Sequence, residues 1–310
     1  MTGLEHKSAP DAPGHRLPRI ALMGEFSAGK STLANLMIGA EYLPVQVVAT
    51  QLPPVWITRG DAAPVLVGLD GSETPCDLSR PQDIPLEDTA YIRVCRDEEI
   101  LKHCDIIDLP GISDPNMAAD VWERMLPLAD GVVWCSPATQ AWRQSEAAVW
   151  EAVSSDKYAH SILLLTRGDM LVRDRDRERV LRRVRSETRD LFAETLMVSL
   201  VLARDCGDDE EMWEQSGAEP FVTRFLDIVE TLKEVVASRG ETDSGTVLPV
   251  ASPEEDRVLP DNAPAKRVPG PVADGTVMPR RPVARGRRGA GTPRPLAEDE
   301  DEQSFAPKFS

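Results

Sequence analysis

Gly24-Glu25-Phe26-Ser27-Ala28-Gly29-Lys30-Ser31 stands directly after the apolar run Ile20-Ala21-Leu22-Met23 and opens a segment of helical period, Lys30–Gly39. The spacing is GxxxxGK[ST], the phosphate-binding loop between a strand and a helix. Glycine lets the backbone curl so that successive N–H groups point at one anion, and the positive end of the following helix adds to the same spot. Lys30 has the reach for β- and γ-phosphates, and the Ser31 hydroxyl suits Mg²⁺. Residues Gly24 to Ser31, with Thr32, are therefore the candidate phosphate site. A glycine turn with no ligand is the alternative, and the flanking strand and helix speak against it.

Two further stretches narrow the nucleotide. Cys104-Asp105-Ile106-Ile107-Asp108-Leu109-Pro110-Gly111 ends an apolar strand in DxxG. Asp108 can hold Mg²⁺ through a water, and the Gly111 N–H can touch the γ-phosphate and report its presence. DxxG is a short pattern, and it gains weight from its place at the carboxyl end of a strand, where open α/β sheets bind ligands. Ser161-Ile162-Leu163-Leu164-Leu165-Thr166-Arg167-Gly168-Asp169 is a buried-type strand ending in TxxD. This matches the [NT]KxD element that reads guanine, with Arg167 in place of Lys. The Asp169 carboxylate can accept from the ring N1–H and the exocyclic amine of guanine, a donor pair adenine lacks on that edge. The Arg167 stem can lie over the base plane. An ordinary strand exit with a solvated aspartate is the alternative for this element.

Strand-like runs at Leu17–Met23, Pro54–Thr58, Val65–Leu69, Tyr91–Cys95, Asp105–Asp108, Gly131–Cys135, Ser161–Thr166 and Leu196–Leu202 alternate with helix-period segments. The latter are Lys30–Gly39, Met117–Leu126, Ser145–Val153, Arg173–Phe192 and Pro220–Ala237. Such alternation predicts an α/β fold, a three-layer and mostly parallel sheet with helices on both faces. The segment Asp61 to Lys102 is longer than a minimal domain of this type needs and is expected to add a strand or two at the sheet edge. Three parts are expected: a disordered polar leader, 1–16, a nucleotide-binding domain, 17–239, and a disordered tail, 240–310, rich in proline and charge and too poor in apolar residues to offset its ordering entropy. Within the tail, the basic cluster Pro279–Arg288 reads either as a contact for anionic lipid or an acidic partner, or as a solubilising block.

Composition sets bounds. A chain of 310 residues can bury one sizeable core. Its net charge of −17 argues against nucleic acid as a partner. Five cysteines occur singly, without CxxC spacing, and those in apolar runs read as core, which suits a reducing cytoplasm. The polar leader has no apolar stretch of signal-peptide type, and no run approaches the roughly 18 apolar residues of a membrane span. The dense alternating charge of Arg173–Phe192 reads as a solvated helix face, and Trp134, Trp142 and Trp150 read as packing residues. The four histidines form no metal-ligand grouping.

The three motifs in this order resemble a GTPase, and their details resemble the dynamin-like family. GEFSAGKSTLANLMIG, with Asn35, Leu36 and Gly39, is similar to the family's phosphate loop, and Asp108-Leu109-Pro110-Gly111 is its usual DLPG. Val48-Ala49-Thr50-Gln51-Leu52-Pro53-Pro54 resembles the family's switch segment, and Ala129 to Gln140 its next strand and polar exit. The resemblance covers residues 17–238. It implies GTP hydrolysed to GDP, with Mg²⁺ held by Ser31, Thr50 and Asp108, and a catalytic set of Thr50, Ser27, Lys30 and Gly111. It also implies a monovalent cation, K⁺ or Na⁺, that Ser27 helps to hold. Ile112 stands where other GTPases place a glutamine, as in the family, so turnover is expected to be slow unaided and faster when G domains pair, in a homo- or heterodimer with another dynamin-like chain. Arg167 and Gly168 depart from the family pattern, and Ser199 is the nearest candidate for the last guanine-binding element. No helical arm is expected after residue 238, so this chain alone is expected neither to tubulate nor to cut membranes. A cytoplasmic protein with peripheral contact at the inner membrane face is the expected setting. The competing readings are a nucleotide-binding scaffold with negligible hydrolysis, acting through its tail, and an ATP-using P-loop enzyme.

Overall fold

Ile20 and Leu22 face one side of the first strand, Ala21 and Met23 the other, and all four are buried, so that strand is covered on both faces. The computed structural model describes residues 16–39, 52–80, 83–113 and 120–239. Its strands are β1 (Arg19–Gly24), β2 (Val55–Arg59), β3 (Val65–Gly68), β4 (Glu73–Pro75), β5 (Thr89–Arg96), β6 (Asp105–Asp108), β7 (Gly131–Pro137), β8 (Ile162–Thr166) and β9 (Glu194–Met197). Its helices are α1 (Lys30–Ile38), α2 (Asp120–Met125), α3 (Gln144–Trp150), α4 (Asp174–Glu187), α5 (Leu200–Asp205), α6 (Glu210–Ser216) and α7 (Ala218–Arg239). Residues 1–15 of the leader, Val48 to Gln51 of the switch segment, the first residues of the expected Met117–Leu126 helix and the tail lie outside the described residues.

The strands form one nine-stranded sheet in the order β4-β3-β5-β2-β6-β1-β7-β8-β9. From β6 through β1, β7 and β8 to β9 every pairing is parallel, as crossovers through helices require. β2 runs antiparallel to β6 and parallel to β5. β3 and β4 pair antiparallel at the edge beyond β5, so the extra segment does extend the sheet. Its tight turn is fastened by Gly68 N–H to Ser72 O at 2.8 Å and by Ser72 N–H to the Asp70 carboxylate at 2.9 Å.

Two apolar layers sandwich the sheet, which is the three-layer α/β arrangement. Leu33, Ala34 and Ile38 of α1, Leu200 of α5 and Phe221, Phe225, Ile228, Val229 and Leu232 of α7 pack with Ile20 and Leu22. On the other face Met125 of α2, Trp150 of α3 and Val184 of α4 pack with Ala21 and Met23. The tryptophans are core: Trp134 meets Trp142 and Trp150 edge-on, and Trp150 stacks on Phe192 at 4.1 Å between centroids.

One expected strand divides in two. Leu196–Leu202 reads as a single apolar run, yet β9 stops at Met197 and α5 starts at Leu200. Ser199 is the reason: its hydroxyl caps α5 by accepting from Leu202 N–H at 3.3 Å. The charged helix is also shorter than Arg173–Phe192. The Thr188 hydroxyl bonds back to Val184 O at 2.8 Å, and Asp190 takes a left-handed φ of 67° that ends the segment.

Candidate functional site

The parallel pairing brings the carboxyl ends of β1, β6 and β8 to the same edge of the sheet, and each ends in one of the three motifs. The loop Gly24–Lys30 leaves β1 through a glycine that admits no substitute. Gly24 has φ 135°, and a Cβ there would stand 2.0 Å from the Cys135 carbonyl oxygen of β7. Gly29, with φ 92°, caps the start of α1. Cys135 itself is neutral packing, since burial pushes its thiol up to about 12.

Lys30 is buried, and its Nζ donates to the carbonyls of Gly24 at 3.2 Å and Glu25 at 2.9 Å, folding the side chain along its own loop. The Ser31 hydroxyl donates to Asp108 Oδ2 at 2.7 Å, while Thr32 is exposed one residue on. Two hard oxygens at that separation, one hydroxyl and one carboxylate, fit the donor chemistry Mg²⁺ takes. Among the described residues no group of three or more His, Cys, Asp or Glu could hold a metal. Thr50, the remaining expected ligand, lies outside those residues.

The DLPG turn presses on the phosphate loop. Leu109 N–H donates to Leu22 O at 3.2 Å and Ile112 N–H to Gly24 O at 3.1 Å. A Cβ on Gly111 would lie 2.7 Å from the backbone N and Cα of Phe26, so only glycine permits this approach. Phe26 N–H donates to the Ser113 hydroxyl at 3.2 Å.

The guanine motif closes the other side. Thr166 Oγ1, fully buried, donates to Ala28 O at 2.8 Å. Arg167 adopts a left-handed φ of 58°, and its Nη2 reaches Ser27 O at 2.7 Å. Ser27 is exposed and itself left-handed, with φ 56°. The Arg that departs from the family pattern thus grips the phosphate loop by its backbone. Gly168 is explained as well: a Cβ there would crowd Met197 Cγ at 3.1 Å. Asp169 Oδ1 accepts from the Ser199 hydroxyl at 2.7 Å, which joins the base motif to the stretch in which the last guanine element was sought.

The side chains that hold the loop from behind are not part of any motif. Glu25 Oε1 accepts from Arg143 Nη2 at 2.7 Å and from the Ser145 hydroxyl at 3.0 Å. Glu146, fully buried, accepts from Trp134 Nε1 at 3.0 Å, from the Ser136 hydroxyl at 3.0 Å and from Arg143 N–H at 2.9 Å. A glutamate three residues after Arg143 at a helix start is the one local signal that could have marked this turn.

No family model matches the chain. Over 228 residues it is 25% identical to Dynamin-like protein 2 of Campylobacter jejuni subsp. jejuni, an alignment that covers 71% of this chain and 36% of that protein. The chain thus spans about a third of the length of that relative. Two solved structures of an oligomerised bacterial dynamin pair, which is described as providing a mechanism for the long-range sensing and tethering of membranes, superpose with TM-scores of 0.52 and 0.51 at 17% and 18% identity. The matches cover 72% and 73% of this chain and 41% and 37% of theirs, and at that identity the likeness is one of fold.

Proposed function

We propose that this chain, which carries a dynamin-like G domain, binds GTP at the edge formed by β1, β6 and β8 and hydrolyses it to GDP and phosphate. The observation that carries the proposal is the joining of three motifs into one bonded unit. Ser31 bonds Asp108 at 2.7 Å, Thr166 bonds Ala28 at 2.8 Å and Arg167 bonds Ser27 at 2.7 Å. Loop amides and Lys30 would take the phosphates, with Lys30 leaving the carbonyls of Gly24 and Glu25 for the ligand. Asp169, oriented by Ser199, would read the guanine edge. Ser31, Asp108 and Thr50 would hold Mg²⁺, which neutralises phosphate charge when bound. Ser27 would help hold a monovalent cation. Turnover would rise when G domains pair, and any membrane contact would be peripheral: among the described residues no helix is long and apolar enough to cross a membrane.

The test is titration with fluorescent GTP, GDP and ATP in Mg²⁺, followed by hydrolysis with and without K⁺ across protein concentration. Guanine-selective binding abolished by Lys30→Ala, and specific activity that rises with concentration, are expected. Thr50→Ala should keep GDP binding and lose turnover. Binding without measurable hydrolysis under any condition would leave the scaffold reading in place, and a preference for ATP would overturn the proposal.

A further inference from the structure

Glu25 is an unexpected residue for a loop that receives phosphate. Its carboxylate is buried, the side chain 5% exposed, and it sets negative charge within the loop proposed to take phosphate. What offsets it comes from the start of α3, which follows β7 in the chain. Arg143 Nη2 stands 2.7 Å from Glu25 Oε1, and the Ser145 hydroxyl donates to the same oxygen at 3.0 Å. Arg143 is held in turn through its backbone N–H, which donates to the fully buried Glu146 at 2.9 Å. Trp134 and Ser136 of β7 fix that glutamate by two bonds of 3.0 Å. At the other end of the chain of contacts, the Glu25 main-chain carbonyl accepts from Lys30 Nζ at 2.9 Å and from Ala28 N–H at 3.2 Å. The residue that Arg143 anchors is therefore the one on which the phosphate lysine rests.

We propose that Arg143 and Ser145 are positioning residues for the phosphate loop, with Arg143 cancelling the Glu25 charge so that the loop accepts a polyanion. The inference rests on the GTP-binding reading. Arg143 is itself 46% exposed, so water screens part of the pair. Its removal still leaves the 5% exposed Glu25 carboxylate with the Ser145 hydroxyl alone among the described residues. The repulsion of that carboxylate grows with ligand charge, so GTP suffers more than GDP. Neutralising Glu25 in the same molecule removes the cause. A role in folding alone would weaken GTP and GDP equally, because a loosened loop does not sense the charge of its ligand, so the ratio of the two losses separates the roles.

The experiment measures affinities of the full chain for fluorescent GTP and GDP in the wild type, Arg143→Ala, Glu25→Gln and the double variant. Arg143→Ala should lose GTP affinity by about 10-fold and GDP affinity by about 3-fold, and the double variant should regain most of the GTP loss. Equal losses for both nucleotides, no loss, or no recovery in the double variant would overturn the inference. Should Arg143→Ala fail to fold, Glu25→Gln alone decides: with Arg143 left as an uncancelled cation, GTP affinity should rise, and a fall would overturn the proposal. A wild type that binds neither nucleotide would sink the GTP-binding reading itself, a different result from normal binding that Arg143→Ala leaves untouched.

Discussion

The Ser31 hydroxyl donates to Asp108 Oδ2 across 2.7 Å, so the first turn of α1 and the last residue of β6 present two oxygens at one point. Neither residue achieves this by local sequence. The parallel pairing of β1 with β6, in which Leu22 lies opposite Asp108, sets the distance.

If those oxygens serve one cation, Ser31→Ala and Asp108→Ala lower GTP affinity chiefly through its Mg²⁺ dependence. Titration of fluorescent GTP with and without a chelator checks this. The wild type should tighten on adding Mg²⁺, and each variant should lose at least about 10-fold of that gain, the worth of one strong charge-assisted contact. A variant that responds to Mg²⁺ as the wild type does would show that the pair is only a structural hydrogen bond.

Asp169 makes the second prediction, because Ser199 holds its carboxylate at 2.7 Å. Asp169→Asn reverses the hydrogen-bond polarity offered to the base, so guanine affinity should fall by about 100-fold and xanthosine nucleotides should be preferred. Ser199→Ala leaves the carboxylate but frees its orientation, and a milder loss of about 5-fold is expected, with guanine still preferred. Ser199 also caps α5, so the melting temperature of the free protein must be read beside the affinity to separate base recognition from a loosened helix.

The strand, loop and helix around Lys30 were legible because every cue there is local: an apolar run, two glycines and a helical period within some twenty residues. The alternation of buried strands with helices carried the fold class for the same reason. Ser199 shows where such reading fails. Val198-Ser199-Leu200-Val201-Leu202 is apolar enough to pass for strand, and only the capping bond to Leu202 turns it into a helix start. The anchoring of Glu25 was out of reach in another way. Its partners Arg143 and Ser145 belong to a turn set by the buried Glu146, and no period or spacing connects them with the phosphate loop. Arg167, marked as a departure from a lysine pattern, gained its contact with Ser27 through a left-handed backbone that composition does not announce.

Cys135 predicts an alkaline weakness. Burial raises its thiol from an ordinary 9.0 to about 12, and burial raises the Cys104 thiol too. A thiol raised on folding stays protonated in the folded chain while the unfolded chain ionises. Its contribution is therefore complete below pH 9 and is lost as pH climbs toward 12. The slope should be about 1.4 kcal/mol per pH unit for each such cysteine. Urea unfolding at pH 8, 9.5 and 10.5 reads it, and Cys135→Ala should flatten the dependence even where it lowers stability at pH 8.

Asp130 makes the last prediction, since it fastens residues from both ends of the described domain. Arg16 contacts its two carboxylate oxygens at 2.7 and 2.9 Å, Arg19 N–H donates to Oδ2 at 2.9 Å, and Arg239, the last residue of α7, comes within 3.8 Å. The Asp130 side chain is 4% and that of Arg16 9% exposed, so solvent screens this pair weakly. Truncating one partner of such a pair leaves the other charge stranded, a loss of about 3–5 kcal/mol, whereas a pair screened by water is worth about 1 kcal/mol or less. Asp130→Ala should fall in the first class and Arg239→Ala, whose side chain is 45% exposed, in the second. Chemical unfolding of both variants checks the order, and hydrogen exchange should show β1 opening sooner in Asp130→Ala, because the Arg19 amide loses its acceptor. Equal losses in the two variants would mean that Arg16 and the Arg19 amide do not carry the clasp.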